Sequence, residues 1–562
     1  MVLLKKILLP LFLFTALAGY GQTTYYASPT GSDATGTGTE INPWASLYKA
    51  TTTVTTSGDI IRLLEGTYTE TSQSSLALGV SLYADDGTTI TSTSALNPIL
   101  TVNSSAGDAV NGNQTISGID WDGDLTAYKA ITINFRSNVT ITNCTFIDFV
   151  YNGIWFDGTS SAYNVTPTNE IAENNAVSYC TFTNCTQYTS NSATGLIRME
   201  GQADMVISNC TFDQTDRAAG DNADILCGYQ NYGLQIIDCE FTKPDANGTA
   251  YNFFAEVHNT HGGFLVSGCT FNGAAAFDMS GVTIGDYAYG GRVEDCTFTT
   301  TSSPAMSEHD EPYLDLESFN YENDITVTRC RFNNSRTAIK INNIQTSAAR
   351  IKINYNIFEN VGNTTNAYSN AILIQSNWAD TDPIPIREID IQNNVMESNQ
   401  SSYSGILVSC WGDIDVLNIK NNIIYGTFGR PIRITYNGGT PTVDSLSITS
   451  NNFYGNTSTA ISYSGDVTYT NLTESDNITT DPLFTSSTDF NLQETSPCID
   501  AGVDVDLTTD YDGETVPSGA LPDIGAYEYQ GTTPTPEATT TGFGKISSTK
   551  FGKSASGNFV KL

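Results

Sequence analysis

Short runs in which apolar and polar residues alternate recur along most of the chain, and many end in the same phrase. Residues 264–271 read FLVSGCTF, and close variants stand at 206–212, 235–241, 293–298 and 326–332. Alternation with a period of two predicts strands with one face buried and the other in solvent. The phrase then adds a polar turn residue, a cysteine and, two residues later, a phenylalanine. No long stretch shows the periodicity of a helix.

The phrase returns at a nearly regular spacing. We call the residue that follows the polar turn residue the corner position. It is first cysteine and later asparagine, at Cys144, Cys180, Cys210, Cys239, Cys269, Cys296, Cys330, Asn356, Asn394, Asn422 and Asn452. The intervals run from 26 to 38 residues. A second alternating segment precedes each phrase, for example at 195–200 and 313–318. The pattern predicts an all-β chain, a single right-handed parallel β-helix with about 30 residues per repeat.

Eleven cysteines in an exported protein usually indicate disulfides. In a β-helix, however, each residue stacks on its own copy at a spacing of about 4.8 Å. That spacing exceeds the usual disulfide Cβ separation of about 3.5–4.5 Å. We therefore expect mostly free, buried thiols that act as compact apolar residues. Because no Cys-x-x-Cys pair is present, a cysteine-bound metal is not expected.

The two ends of the chain differ from the repeats. The sequence predicts six parts: a signal peptide (1–22), an N-terminal cap with the first coils (23–125), β-helix repeats (126–480), a closing segment (481–530), a Pro/Thr linker (531–541) and a basic tail (542–562). In the cap, Asn42 and Pro43 predict a helix start, with the helix running through Leu47 and Ala50 across the open end of the stack. We expect a secreted or cell-surface protein with no membrane span.

The charge narrows the choice of partners. The chain carries 24 basic and 60 acidic side chains, a formal charge of -36. Nucleic acid and anionic lipid both need a basic face, so the composition argues against them. A polysaccharide or cell-surface glycan remains the expected partner.

Acidic residues recur among the outward positions of the middle repeats. Glu200, Glu256 and Glu317 are predicted to share one outward column, with glycines between them that leave space for a ligand. We call one turn of the β-helix a rung. Glu256 and Glu317 would lie two rungs apart, ~9.5 Å by backbone spacing. Such a pair suits a glycoside hydrolase, in which one acid protonates the leaving oxygen and the other activates water.

The same region admits a second chemistry. Asp315, Glu317 and Asn342 offer oxygen ligands for Ca²⁺, which would neutralise a uronate carboxylate. Lys340 or His258 would then act as the base that removes the adjacent proton. Further residues are expected to bind the sugar, with an arginine clamping its carboxylate: Arg198, Glu200, Asp286, Tyr287 and Arg292.

Both ends of the chain resemble a known group. The order YYASPTGSD, NPW and GDII followed by GTY, together with 481–529, is similar to bacterial exported right-handed parallel β-helix proteins of the pectate-lyase-like superfamily, with a C-terminal segment of the choice-of-anchor type. Asp315-Leu-Glu317 looks like the acid-x-acid calcium pair of β-helix lyases. The resemblance implies a polysaccharide lyase or glycoside hydrolase. The alternative is a non-catalytic adhesin that binds glycans or a partner.

Overall fold

Each turn of the chain forms three short strands, and each strand pairs in parallel with its counterpart one turn later. The computed structural model describes residues 22–104, 109–158, 171–185, 195–214, 222–227, 231–243, 252–257, 260–273, 279–284, 290–299, 312–317, 324–334, 337–342, 350–361, 370–376, 386–399, 404–436, 438, 440–531, 551–553 and 559–561. The repeated strands build three long sheets, which we call sheets I, II and III. The predicted parallel β-helix is therefore confirmed. The predicted signal peptide and most of the linker and tail lie outside the described residues.

The strands follow one another in the order sheet I, sheet III, sheet II. Sheet I contains β1 (Thr24–Ala27), β2 (Ile60–Leu63), β5 (Ser81–Ala84), β8 (Val110–Ser117), β11 (Arg136–Thr142), β14 (Ala172–Glu173), β15 (Ala176–Ser178), β18 (Gln202–Ala203), β19 (Val206–Ser208), β22 (Asn231–Ile237), β25 (Thr260–Ser267), β28 (Gly291–Glu294), β31 (Ile325–Thr328), β34 (Arg350–Asn354), β37 (Ile386–Gln392), β40 (Ile414–Lys420), β43 (Thr442–Thr449) and β45 (Thr468–Ser475).

Sheet II contains β4 (Ser74–Ser75), β7 (Leu100–Asn103), β10 (Lys129–Asn134), β13 (Asn152–Asp157), β17 (Gly195–Met199), β21 (Asn222–Cys227), β24 (Asn252–Val257), β27 (Met279–Ile284), β30 (Pro312–Glu317), β33 (Thr337–Asn342), β36 (Asn370–Ser376), β39 (Ser404–Cys410), β42 (Arg430–Tyr436) and β44 (Ile461–Ser464).

Sheet III contains β3 (Gly66–Thr69), β6 (Thr88–Thr91), β9 (Asp120–Asp122), β12 (Thr145–Ile147), β16 (Thr181–Thr183), β20 (Thr211–Asp213), β23 (Glu240–Lys243), β26 (Thr270–Gly273), β29 (Thr297–Thr299), β32 (Arg331–Asn333), β35 (Ile357–Glu359), β38 (Val395–Ser398) and β41 (Ile423–Gly426). A separate antiparallel pair joins β46 (Phe551–Lys553) to β47 (Phe559–Lys561).

The corner between sheets I and III explains the recurring phrase. The residue before each corner cysteine has a positive φ, as at Asn209 (53°), Asp238 (52°) and Gly268 (67°). Asn, Asp and Gly tolerate this left-handed conformation best, which accounts for the polar turn residue. The next residue, the cysteine, then points into the core. Its thiol donates to main-chain carbonyls, as Cys239 Sγ does to Ile207 O at 3.7 Å.

All eleven cysteines are free and buried, as expected. The phenylalanines two residues later form a continuous stack inside sheet III, with successive ring centroids 4.6 to 5.0 Å apart from Phe146 to Phe358. Offset stacking of this kind adds to the burial of apolar area. Cysteine and phenylalanine recur because each residue type fits against its own copy.

Asparagine amides continue the corner ladder after Cys330. Each side-chain amide donates to the Oδ1 atom of the next member, through Asn356, Asn394, Asn422, Asn451 and Asn477, at 2.9 to 3.0 Å. The assignment of Asn452 to this ladder was wrong, because Asn452 aligns with Ile423 and Ile478 in the next position. Two adjacent asparagines fit the local pattern equally well, and only the register separates them.

A short helix covers the N-terminal end of the core. Helix α1 spans Leu47–Thr53, and Leu47 and Ala50 are fully buried as predicted. The predicted cap at Asn42 is wrong, since Ser46 is the N-cap and its hydroxyl accepts from the Lys49 N–H at 3.0 Å. The helix starts later because Trp44 first forms a parallel bridge with Ala27. Among the described residues, no helix has the length and apolar character needed to cross a membrane.

The closing segment lies against the outer face of sheet III. Its apolar residues, including Phe490, Leu492 and Ile524, form a second core cluster with Ile357 and Val395 of β35 and β38. Asparagines of the solenoid also bind its main chain, as Asn421 Nδ2 does to Val503 O at 2.7 Å. The segment therefore covers one side of the late rungs.

Candidate functional site

The outer face of sheet II carries most of the candidate residues. One outward column along this face runs through paired residues in the order Thr132, Trp155, Arg198, Leu226, Glu256, Thr283, Asp315, Lys340 and Leu373. A neighbouring outward column contains Asn134 paired with Asp157, and Glu317 paired with Asn342. The early rungs (β10, β13 and β17) and the middle rungs (β24, β27, β30 and β33) therefore share the outer face of sheet II.

Two cations lie near one tryptophan in the early rungs. Lys129 Nζ is 3.6 Å from the centroid of the Trp155 ring, and the Arg198 guanidinium carbon is 4.9 Å from it. Both distances suit cation–π contacts. Burial, with repulsion from Arg198, lowers the pKa of Lys129 to about 8. A lysine in this range supplies a neutral amine near physiological pH, as a proton acceptor requires.

Two carboxylates complete this cluster. Glu200 is buried and its Oε1 atom accepts from Arg198 Nη2 at 2.5 Å. Asp157 is half-buried, and desolvation and the nearby Glu200 raise its pKa. Asp157 is thus suited to donate a proton, whereas Glu200 is held as an ion pair. We call Lys129, Trp155, Asp157, Arg198 and Glu200 the early-rung cluster.

Three buried polar atoms in or beside this cluster have no hydrogen-bond partner in the part of the chain that the structure describes. They are Thr132 Oγ1, Asn134 Oδ1 and Trp155 Nε1. Buried polar atoms of this kind are normally satisfied, and an unsatisfied one calls for an explanation such as a bound ligand, ion or water. Here a donor and two oxygen atoms lie on the surface that also carries Lys129 and Asp157.

An aromatic pair lies next to the early-rung cluster along the chain. Tyr128, next to Lys129, stacks on Tyr151 with ring centroids 5.0 Å apart. Both rings are half-buried, so each keeps an exposed part. Aromatic side chains with convergent polar groups are typical of small-molecule sites.

In the middle rungs the structure corrects one predicted alignment. Glu256 pairs with Leu226 and Thr283, and so belongs to the column of Asp315 and Lys340. The prediction that it shares the column of Glu317 is wrong. A shift of two residues keeps a side chain pointing outward, so alternation alone cannot separate the two columns.

The predicted pair Asp315 and Lys340 is brought together. The two residues are register partners on β30 and β33, and both are half-buried. Arg292 is placed elsewhere: it lies on β28 of sheet I, where its Nε atom contacts Glu294 at 2.5 Å. It therefore does not join Arg198 on sheet II.

Several predicted positions cannot be placed as side chains. His258, Asp286 and Tyr287 lie outside the described residues, as do the side chains of Glu256, Glu317 and Asn342. Among the described residues, no group of three or more His, Cys, Asp or Glu side chains is arranged to hold a metal ion. The expected calcium site at Asp315, Glu317 and Asn342 remains a prediction.

The early-rung cluster was only partly anticipated. The sequence predicts sugar binding by Arg198 and Glu200, but its pattern does not single out Lys129 or Asp157 as site residues. The available signal was the outward position of Trp155 directly above Arg198, with Asp157 two residues later. Lys129 stands at the very start of its strand, where alternation does not show that its ammonium reaches Trp155.

No family model matches the chain, and no curated protein matches it. Several solved structures are similar. ORF18 of Geobacillus virus E2 is 12% identical with a TM-score of 0.39, and the match covers 51% of this chain and 53% of that one, so this chain spans about half of its length. An alginate lyase from Paenibacillus sp. is 12% identical with a TM-score of 0.30, covering 79% of this chain and 99% of that one. The surface adhesin PfbA of Streptococcus pneumoniae is 11% identical with a TM-score of 0.33, covering 78% and 90%. At these values the similarities carry no argument about activity.

Proposed function

We propose that the protein acts on a polysaccharide along the outer face of sheet II, with one sugar unit at the early-rung cluster. The observation that carries this proposal is that Lys129, whose pKa is lowered, lies over the Trp155 ring and interacts electrostatically with Asp157, whose pKa is raised. A proton acceptor and a proton donor on the same outer face of the sheet suit the cleavage of a glycosidic bond. The predicted leader indicates export, so the substrate is an extracellular glycan.

The pair of pKa shifts favours elimination from a uronate. Neutral Lys129 removes the C5 proton, the electron pair forms the C4–C5 double bond, and the C4–O bond breaks. Asp157 gives its proton to the leaving oxygen. Arg198 adds positive charge that attracts the uronate carboxylate, while its Nε and Nη2 atoms donate to Glu200 Oε1. The middle-rung residues Asp315 and Lys340 would then bind further sugar units or, with Glu317 and Asn342, a Ca²⁺ ion.

Hydrolysis is the second candidate, supported by the proximity of Asp157 and Glu200. In this reaction Asp157 protonates the leaving glycosidic oxygen while the Glu200 carboxylate attacks the anomeric carbon, as carboxylates on adjacent rungs allow. Water, deprotonated by Asp157, then displaces Glu200 and releases the sugar. The two reactions share Asp157 and differ in the partner. Elimination needs the amine of Lys129, whereas hydrolysis needs the carboxylate of Glu200.

The test uses the mature chain from residue 23 with a panel of acidic and neutral polysaccharides, with and without Ca²⁺. Ultraviolet absorbance of unsaturated uronates reports elimination, and new reducing ends without absorbance report hydrolysis. Lys129→Arg keeps the cation but removes the proton acceptor, so it abolishes elimination and spares hydrolysis. Asp157→Asn lowers both rates by roughly 10²–10⁴-fold.

Lys340→Arg is the matched control in the middle rungs, and it leaves the rate within a few-fold if the early rungs hold the reacting bond. Loss of turnover in Lys340→Arg with full activity in Lys129→Arg would move the reaction to the middle rungs. Glycan binding without any turnover would instead make the protein an adhesin.

A further inference from the structure

The C-terminal end of the core is partly exposed, unlike the N-terminal end under helix α1. The last strands, β44 and β45, form what we call the terminal rung. On it, Tyr463 and Leu472 pair with Ile434 and Leu446, which are buried in the preceding rung. Yet Tyr463 is 38% exposed and Leu472 is 47% exposed. The stacks of core side chains that contain Ile434 and Leu446 therefore end at residues that contact solvent.

The terminal rung also presents a strand edge. β45 has eight residues, all exposed except the half-buried Tyr469. Among the described residues its only pairing is with β43. A long unpaired edge is a template for another strand, and proteins normally cover or disrupt it.

The acidic charge of the terminal rung indicates which kind of strand could bind its free edge. The sequence holds no lysine or arginine between Arg433 and Lys545, and sixteen aspartates and glutamates lie in that interval. Asp466, Glu474 and Asp476 lie on or beside the terminal rung. A second copy of this end would bring like charges together, which costs free energy. The occupant should therefore be basic.

The chain contains such a segment. Residues 542–562 carry Lys545, Lys550, Lys553 and Lys561 and no acidic residue. Two stretches of this tail form the antiparallel strands β46 and β47, in which Phe551 pairs with Lys561. About 20 residues separate Gly531 from β46, and a chain of that length can span ~65 Å when extended. Gly525 binds Asn421, which follows β40, and β45 lies two rungs after β40, so the tail can reach the terminal rung of its own molecule.

We propose that residues 542–562 bind the terminal rung of the same chain, adding a strand to the free edge of β45 and covering Tyr463 and Leu472. Lysines of the tail then face Glu474 and its acidic neighbours. The tail acts as the C-terminal counterpart of helix α1 and protects the edge from association with other chains.

Amide hydrogen exchange of residues 468–475 in the mature chain tests this proposal. The four tail lysines are replaced together by glutamate in one variant and by arginine in a matched control. We expect exchange at 468–475 to be at least tenfold faster in the glutamate variant and unchanged in the arginine variant. Carbodiimide should also cross-link a tail lysine to Glu474 or Asp476 within one chain in the unmodified protein.

Equal exchange in both variants would overturn the proposal. Protection that disappears on dilution, with cross-links between chains, would also overturn it and assign the edge to a second copy. High salt gives an independent check, because charge attraction is screened within about 3 Å at 1 M salt. Protection by the tail should then weaken in the unmodified chain.

Discussion

Lys129 Nζ lies 3.6 Å from the centroid of the Trp155 ring, on the outer face of sheet II. The aromatic ring stabilises the cation, whereas burial and the neighbouring Arg198 disfavour it. Burial, followed by the charge of Arg198, lowers the pKa of Lys129 to about 8. This balance makes the lysine responsive to changes at Arg198.

Arg198→Gln should raise the pKa of Lys129. The substitution removes a repelling cation and leaves Glu200 without its guanidinium partner, and both effects favour protonated lysine. The pH dependence of acylation at Lys129, followed by mass spectrometry, measures the shift. Arg198→Lys keeps the positive charge and should change the pKa less. A pKa of Lys129 that is the same in both variants would contradict this account.

The asparagine ladder should be strongly stabilising. Asn422 Nδ2 donates to Ile391 O, Lys420 O and Asn451 Oδ1 at 2.8 to 3.0 Å. Asn422→Leu leaves buried carbonyl and amide groups unsatisfied and should cost about 2–4 kcal/mol of unfolding free energy. Asn471→Leu is the control, since its amide is exposed and, within the described part of the chain, donates to Asp444 O alone. Denaturant unfolding measures both, and equal midpoints would argue against a stabilising ladder.

The thiols should be inert in the folded protein. Burial raises the pKa of Cys185 to about 12 and that of Cys498 to about 11, so their thiolates are scarce at neutral pH. Hydrogen bonds with Cys180 and Cys239 lower the pKa of Cys210 to about 4, but this residue is only 1% exposed, so a reagent cannot reach its sulfur atom. A thiol reagent at pH 7.5 should label none of the eleven cysteines in the native chain and all of them in denaturant. Rapid labelling of any corner cysteine in the native state would show that its rung opens or is misplaced.

The closing segment should be more stable at mildly acidic pH. Burial raises the pKa of Asp510, Asp523 and Glu528 above the usual range. The folded segment therefore holds more protons than the unfolded one between the two pKa values, and its stability falls as pH rises through that window. Lowering the pH from 7 to about 5 should slow amide exchange at 498–529, after correction for the intrinsic rate. Amides of β19 in the solenoid are the internal control; an equal change there would indicate a global effect of net charge.

The candidate site was less predictable than the fold. Alternation showed that Arg198, Glu256 and Lys340 point outward, but loops of unequal length separate the strands of sheet II. Hence neighbouring outward columns could not be distinguished, and Glu256 was assigned to the wrong one. Arg292 was assigned to the sugar site although its strand belongs to sheet I, because both sheets show the same alternation.

The repeat itself could be read from the chain alone. Each corner requires a positive φ, a small buried residue and a stacked aromatic ring, and these local requirements select the residue types. Asn209, Cys210 and Phe212 therefore identify their rung in the sequence. The tertiary structure decided which outward side chains meet and where the closing segment packs. Those relationships join residues that are 20 to more than 100 positions apart, such as Asn393 and Asp523. They depend on register and loop length, which no local pattern of polar and apolar residues records.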